Sequence, residues 1–241
     1  MSGRANTTRT GFTLVELLVV IGIIALLVGI LAPFISKAML QGEMVRVRTW
    51  VNDLANATIA YSRDNNDVYP GQDLPAGVLD GNTNNNAYSG SQYLSRALFG
   101  IVTTNPFTYP TATKYMQSGS EDLIDPSTNK TAATDNFQWK TISDRTNNPM
   151  PVLYYPARPG MAALNQYVYE DNKLVSDSYG ATDTGFYDFI LDKKYWYDPA
   201  NLSTIKATGT PRNPRGFLLI AAGADGQYFT GDDIRYPAWT R

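Results

Sequence analysis

The chain has 241 residues, a formal net charge of −2 and only 17% charged residues, so it has no general attraction to nucleic acid. It contains no cysteine and no histidine. Disulfides, thiolate and imidazole metal sites, cysteine nucleophiles and Ser-His-Asp chemistry are therefore excluded. At the N-terminus a short basic segment with Arg4 and Arg9 leads to Gly11-Phe12-Thr13-Leu14-Val15-Glu16. From Leu17 to Ser36 there is then no charge, a stretch long enough to cross a bilayer core as a helix, which takes about 20 residues. A carboxylate at the mouth of such a helix is costly to desolvate and calls for a partner. Pro33 lies inside the run and predicts a kink or local melting, because proline removes one backbone hydrogen bond. Lys37, Arg46 and Arg48 on the far flank nearly balance the leader, so charge counting does not orient the segment.

Leu40, Met44, Val47, Val51, Leu54, Thr58 and Tyr61 recur three and four apart. This predicts that the helix continues beyond the apolar run with one stripe facing a core. Arg46, Arg48, Asn52, Asp53, Asn56 and Arg63 fall mainly off the stripe. Asp64-Asn65-Asn66-Asp67 and Pro70-Gly71 end the helix, since Asn, Asp, Gly and Pro favour turns. Residues 72–90 read as a polar loop. Ser91 to Gly100 reads as a short helix, with Ser91 as cap and Gly100 as stop. Residues 101–149 have weak periodicity. Val152-Leu153-Tyr154-Tyr155 predicts a strand, Gln166 to Glu170 a second, and Gly185 to Leu191 reads equally as strand or helix. Phe217-Leu218-Leu219-Ile220-Ala221-Ala222 is the clearest strand, and its unbroken apolar run predicts a central position buried on both faces. Roughly 180 residues follow the first helix, enough for one domain with its own core. The fold class predicted is α+β, with a long N-terminal spine helix packed on a small antiparallel sheet.

Gly11 to Glu16, followed by the apolar run, resembles the signal of type IV pilins and of type II secretion pseudopilins. The resemblance implies that prepilin peptidase cuts between Gly11 and Phe12 and methylates the new terminal Phe12. It implies that Glu16 pairs with the terminal amine of a neighbouring subunit. It also implies that Leu14, Val15, Leu17 and Leu18 pack helix on helix, and that Pro33 marks a loosened point in the filament. Four segments follow: 1–11 as cleaved leader, 12–36 as transmembrane and assembly helix, 37–65 as the soluble half of the spine, and 66–241 as an extracytoplasmic pilin-like domain. Tyr61 to Pro70 also resembles the end of this helix in the major pseudopilin. An ordinary signal peptide, with Ser36-Lys37-Ala38 as its cleavage site, is the rival reading of the N-terminus. Its apolar stretch should be only about 7–15 residues long.

After the last apolar strand come Ala222-Gly223-Ala224-Asp225-Gly226 and Thr230-Gly231-Asp232-Asp233-Ile234. Aspartates on a glycine-rich turn supply the hard oxygens that calcium prefers. Asp-Gly and Asp-Asp equally serve as turn chemistry. The segment resembles the C-terminal loop of the major pseudopilin, which implies calcium held by Asp225, Asp232 and Asp233, with Ala222 supplying a carbonyl. The absence of cysteine leans toward pseudopilins, because many type IV pilins close this region with a disulfide.

The expected function is a non-enzymatic filament subunit involved in protein secretion. Its implied partners are prepilin peptidase, copies of itself, other pseudopilins and an inner-membrane assembly platform. Its expected location is the inner membrane as a single-pass protein, with the bulk of the chain periplasmic. The alternative is a membrane-anchored binding domain for glycans or adhesion, using some of the 16 tyrosines; core packing is the competing use for those rings. An acid pair among Asp183, Asp188 and Asp192 is weighed against ordinary solvated loop acids.

Overall fold

The structure is a computed structural model. It describes residues 13–72, 89–99, 115–116, 122–124, 141–161, 166–177, 180–190 and 211–238. Helix α1 runs from Leu14 to Asp64 without interruption. The chain divides into two units between Gly42 and Glu43, within this helix. In the first unit Leu17, Leu18, Ile21, Ile24, Leu27, Val28 and Leu31 are all exposed. This part of α1 is long and apolar enough to span a membrane, and none of it is buried within the chain. Local melting at Pro33, expected from the sequence, is not seen in this single chain, because the helix continues through the proline. One missing hydrogen bond leaves the bonds on either side intact. The residue whose carbonyl faces the ring is Gly29, which adds no side chain to the crowding.

In the second unit α1 buries Val47, Trp50, Val51, Leu54, Ala55, Ala57, Thr58 and Ser62. The stripe read from the sequence is therefore present, widened by Trp50, Ala55 and Ala57. Leu40, at its start, is exposed. The Trp50 indole donates to the Ser143 carbonyl at 2.8 Å, and the buried Thr58 hydroxyl donates to Leu54 O at 2.7 Å, so neither buried polar group is orphaned. The helix ends at the predicted turn. The Asp67 amide donates back to Ser62 O at 2.9 Å, and Asn66 and Asp67 both adopt positive φ, a conformation that short polar side chains tolerate.

Helix α2 spans Gly90–Phe99. Its cap is Ser89 rather than Ser91. Ser89 Oγ accepts from the Gln92 amide at 3.3 Å, and Gln92 Oε1 accepts from the Ser89 amide at 2.8 Å. This reciprocal pair is a capping box. Ser91 is instead buried, its amide donating to Asn172 Oδ1 at 3.0 Å. Gly100 lies outside the described residues.

Strands β1 (Leu123–Ile124) and β2 (Thr141–Ile142) form a short antiparallel pair. Strands β3 (Leu153–Pro156), β4 (Phe217–Ala221) and β5 (Ile234–Tyr236) form an antiparallel sheet in the order β3-β4-β5. Leu219 of β4 lies opposite both Tyr154 and Tyr236. Successive side chains of β4 enter different clusters, as a strand's period of two requires. Phe217, Leu219 and Ala221 join the α1 and α2 side chains and Ile142. Leu218 and Ile220 join Leu153, Tyr155, Tyr167, Tyr169, Phe186, Phe189, Tyr228 and Phe229 on the other face. The central, doubly buried strand expected from the apolar run is the one observed.

The region 166–170 is not a strand. It turns through a 3-10 helix, Tyr169–Asn172, into α3, Lys173–Asp177. Its alternation is genuine, because Tyr167 and Tyr169 are both buried and Val168 is extended. Its Gln166 carbonyl accepts from the Arg158 amide just beyond β3 at 2.9 Å, and the chain then turns away. The start of α2 lies so close to β3 that any side chain at Gly90 would strike the Tyr154 carbonyl. The same carbonyl accepts from Asn172 Nδ2 at 2.7 Å. The described part of the ambiguous segment, residues 185–190, is helical, within α4, Asp183–Ile190.

Candidate functional site: the helix start and the C-terminal acidic loop

Helix α1 opens with a second capping box. Thr13 precedes the first helical residue, and Glu16 is the third residue of the helix. The Thr13 amide and hydroxyl both donate to Glu16 Oε2, at 2.9 and 2.8 Å. The Glu16 amide donates back to Thr13 Oγ1 at 3.3 Å. The box satisfies helix-terminal amides that otherwise lack partners and places an anion at the positive end of the helix dipole. Oε1 takes no part in it. The pattern Thr-x-x-Glu is legible in the sequence, where Thr13 also belongs to the signal. Leu14, Val15, Leu17 and Leu18 are exposed around this end. Gly11 and Phe12 lie outside the described residues.

The C-terminal acids are drawn together in pairs through backbone and hydroxyl donors. Asp232 Oδ1 accepts from Thr230 Oγ1 at 2.6 Å, and Oδ2 accepts from the Asp225 amide at 3.2 Å. Burial pushes the Asp232 carboxyl up, but these hydrogen bonds outweigh it and hold the group below the usual aspartate range. Asp233 is buried. Its Oδ2 accepts from the amides of Phe229 and Thr230 at 2.7 and 3.2 Å. Burial raises this carboxyl to about 7 despite those bonds. Asp225 is exposed, and its Oδ1 accepts from the Gln227 amide at 2.9 Å. Gly223 is required by the close approach of Asp232, whose backbone carbon lies 2.7 Å from where a Cβ would stand. Ala222 is buried in the second cluster. Among the described residues no group of three or more acidic side chains is placed to hold a metal ion.

Sequence reasoning missed two anchors. Thr230 bonds both adjacent acids. Arg235 donates to Gly231 O at 3.2 Å and Asp233 O at 3.4 Å, with its guanidinium 4.6 Å from the Phe189 ring centroid. Neither has a local signal in the sequence. Of the tyrosines weighed as a glycan surface, Tyr154, Tyr155, Tyr167, Tyr169 and Tyr228 are buried, while Tyr61, Tyr69, Tyr115, Tyr187 and Tyr236 are half-buried against the core. Asp192 lies outside the described residues.

Residues 6–32 match the family profile described as the prokaryotic N-terminal methylation motif. This is the signal of type IV pilins and pseudopilins, and it supports a pilin-like substrate of prepilin peptidase. No curated protein and no solved structure matches the chain. The helix with its exposed apolar first part, followed by small antiparallel sheets, is the α+β arrangement that fits a pilin-like fold.

Proposed function

We propose that this chain is a structural subunit of a type II secretion pseudopilus or of a type IV pilus-like filament. The observation that carries the reading is the methylation motif running directly into an apolar helix whose described residues are exposed over its first part. A wholly exposed apolar surface of this kind belongs in a bilayer or against other helices. The precursor sits in the inner membrane with its second unit in the periplasm. Prepilin peptidase cuts between Gly11 and Phe12 and methylates the freed amine. Glu16 then meets the Phe12 amine of a neighbouring copy, offering the oxygen outside its capping box. A charge pair relieves the cost of holding either group among apolar helices. Leu14, Val15, Leu17 and Leu18 pack against neighbouring copies and other pseudopilins, delivered by an inner-membrane assembly platform.

Intact mass and N-terminal sequencing of the membrane-extracted protein test the processing step. The expected start is N-methylated Phe12. A start at Met1 in cells with active peptidase, or a start near Met39, refutes it. Glu16→Ala is expected to be cut normally but to fail to assemble, and normal filaments from this variant would end the pairing role.

A further inference from the structure

We propose that Arg235 is the resident cation of the C-terminal loop, and that the loop from Ala222 to Ile234 closes without a divalent metal. The comparison with calcium is chemical. Calcium binds six to eight oxygens at about 2.3–2.6 Å, and carboxylates must turn their lone pairs toward one point. Here each acid turns them toward hydrogen. Asp233 receives the Phe229 and Thr230 amides. Asp232 receives the Thr230 hydroxyl and the Asp225 amide. Asp225 receives the Gln227 amide. A metal at Asp233 Oδ2, which already accepts two amides, would have to displace a donor that also holds the loop's shape.

Positive charge is nevertheless present. Arg235 follows the loop on β5. Its Nη2 and Nε reach Gly231 O and Asp233 O, carbonyls of the kind a metal would gather. Its charge also lies near enough to Asp233 to favour the carboxylate. Phe189 of α4 lies against the guanidinium and fixes its plane by cation–π contact. Within the loop Phe229 adopts a φ of 67°, uncommon for a bulky side chain. Its amide bond to Asp233 and its ring contacts with Phe186 and Phe189 hold it there. The loop is thus fastened at its backbone, at its acids and at its carbonyls by groups of its own chain.

The test uses the full chain in detergent micelles, read by thermal unfolding and by limited proteolysis with mass mapping of residues 222–234. Chelation with EDTA and addition of millimolar calcium chloride are expected to give the same midpoint, within about 1 °C, and the same cleavage rate in the loop. Arg235→Ala is expected to speed loop cleavage by about tenfold, as the open population rises, with or without calcium. Arg235→Lys keeps the charge but loses the fork, and is expected to fall between the two. A saturable rise of several degrees with calcium in the unmodified protein would overturn the proposal. So would loop cleavage in Arg235→Ala that matches the parent. Direct calcium titration of the unmodified chain by calorimetry covers the case in which Arg235→Ala does not fold. Heat of binding at the loop refutes the proposal, and its absence at millimolar calcium supports it.

Discussion

Asp171→Ala is expected to be among the most destabilising single changes in the second unit. Arg158 leaves β3 and meets Asp171 in the 3-10 turn through two parallel bonds, Nη1 to Oδ2 at 2.8 Å and Nη2 to Oδ1 at 2.7 Å. The side chains are only 6% and 0% exposed, so solvent screens the pair little, unlike a surface ion pair. Removing the carboxylate strands a guanidinium beneath the protein surface, which costs about 3–5 kcal/mol. For a domain of this size, a melting point falls by about 2–4 °C per kcal/mol, so the expected drop is about 6–20 °C. Near-UV circular dichroism of the full chain in detergent is the suitable assay, because it follows the packed aromatic rings rather than helix content. The loss should persist in 1 M salt, since a buried pair is not screened by ions (the Debye length there is about 3 Å). The paired replacement Arg158→Met with Asp171→Leu removes both charges and should recover most of the loss. A fall below about 2 °C for Asp171→Ala, or a double variant no better than the single one, would refute this account of the pair.

Asp233 gives a pH dependence of defined sign. Its folded carboxyl is raised from 3.8 to about 7, so its contribution is complete below about pH 4 and is lost as pH rises through about 7. The gap sets a ceiling of about 4 kcal/mol, at 1.36 kcal/mol per pH unit. Melting points measured from pH 5 to 8 should fall with pH in the parent and flatten in Asp233→Asn; parallel curves would exclude Asp233 as the source. Gly223→Ala places a methyl group 2.7 Å from the Asp232 backbone carbon. It is expected to lower the melting point by an amount equivalent to about 1–3 kcal/mol, the usual cost of forced overpacking, and an unchanged melting point would contradict the observed approach. Thr13→Val removes the hydroxyl of the first capping box and is expected to speed amide exchange over residues 14–16 in micelles, while Thr13→Ser preserves protection. Equal exchange in the two variants would show that the box does not hold the helix start.

The local pattern of the chain determined the helix, its buried stripe, its stop and the central strand. Each rests on a periodicity or turn chemistry that neighbouring residues express by themselves. Apolar residues three and four apart place Val47, Val51 and Leu54 on one face, and the unbroken run at 217–222 has no polar side to expose. The methylation signal is equally local, because a peptidase reads consecutive residues. The 3-10 turn at Tyr169–Asn172 was decided by tertiary structure, since Asp171 and Asn172 are held by Arg158 and by the Tyr154 carbonyl, partners distant in sequence. The role of the C-terminal acids was decided in the same way. Asp225, Asp232 and Asp233 look alike in sequence, but burial, the amide of Phe229, the hydroxyl of Thr230 and the reach of Arg235 give them different surroundings. Burial and donor direction depend on how distant segments pack, and no short stretch of sequence carries that information.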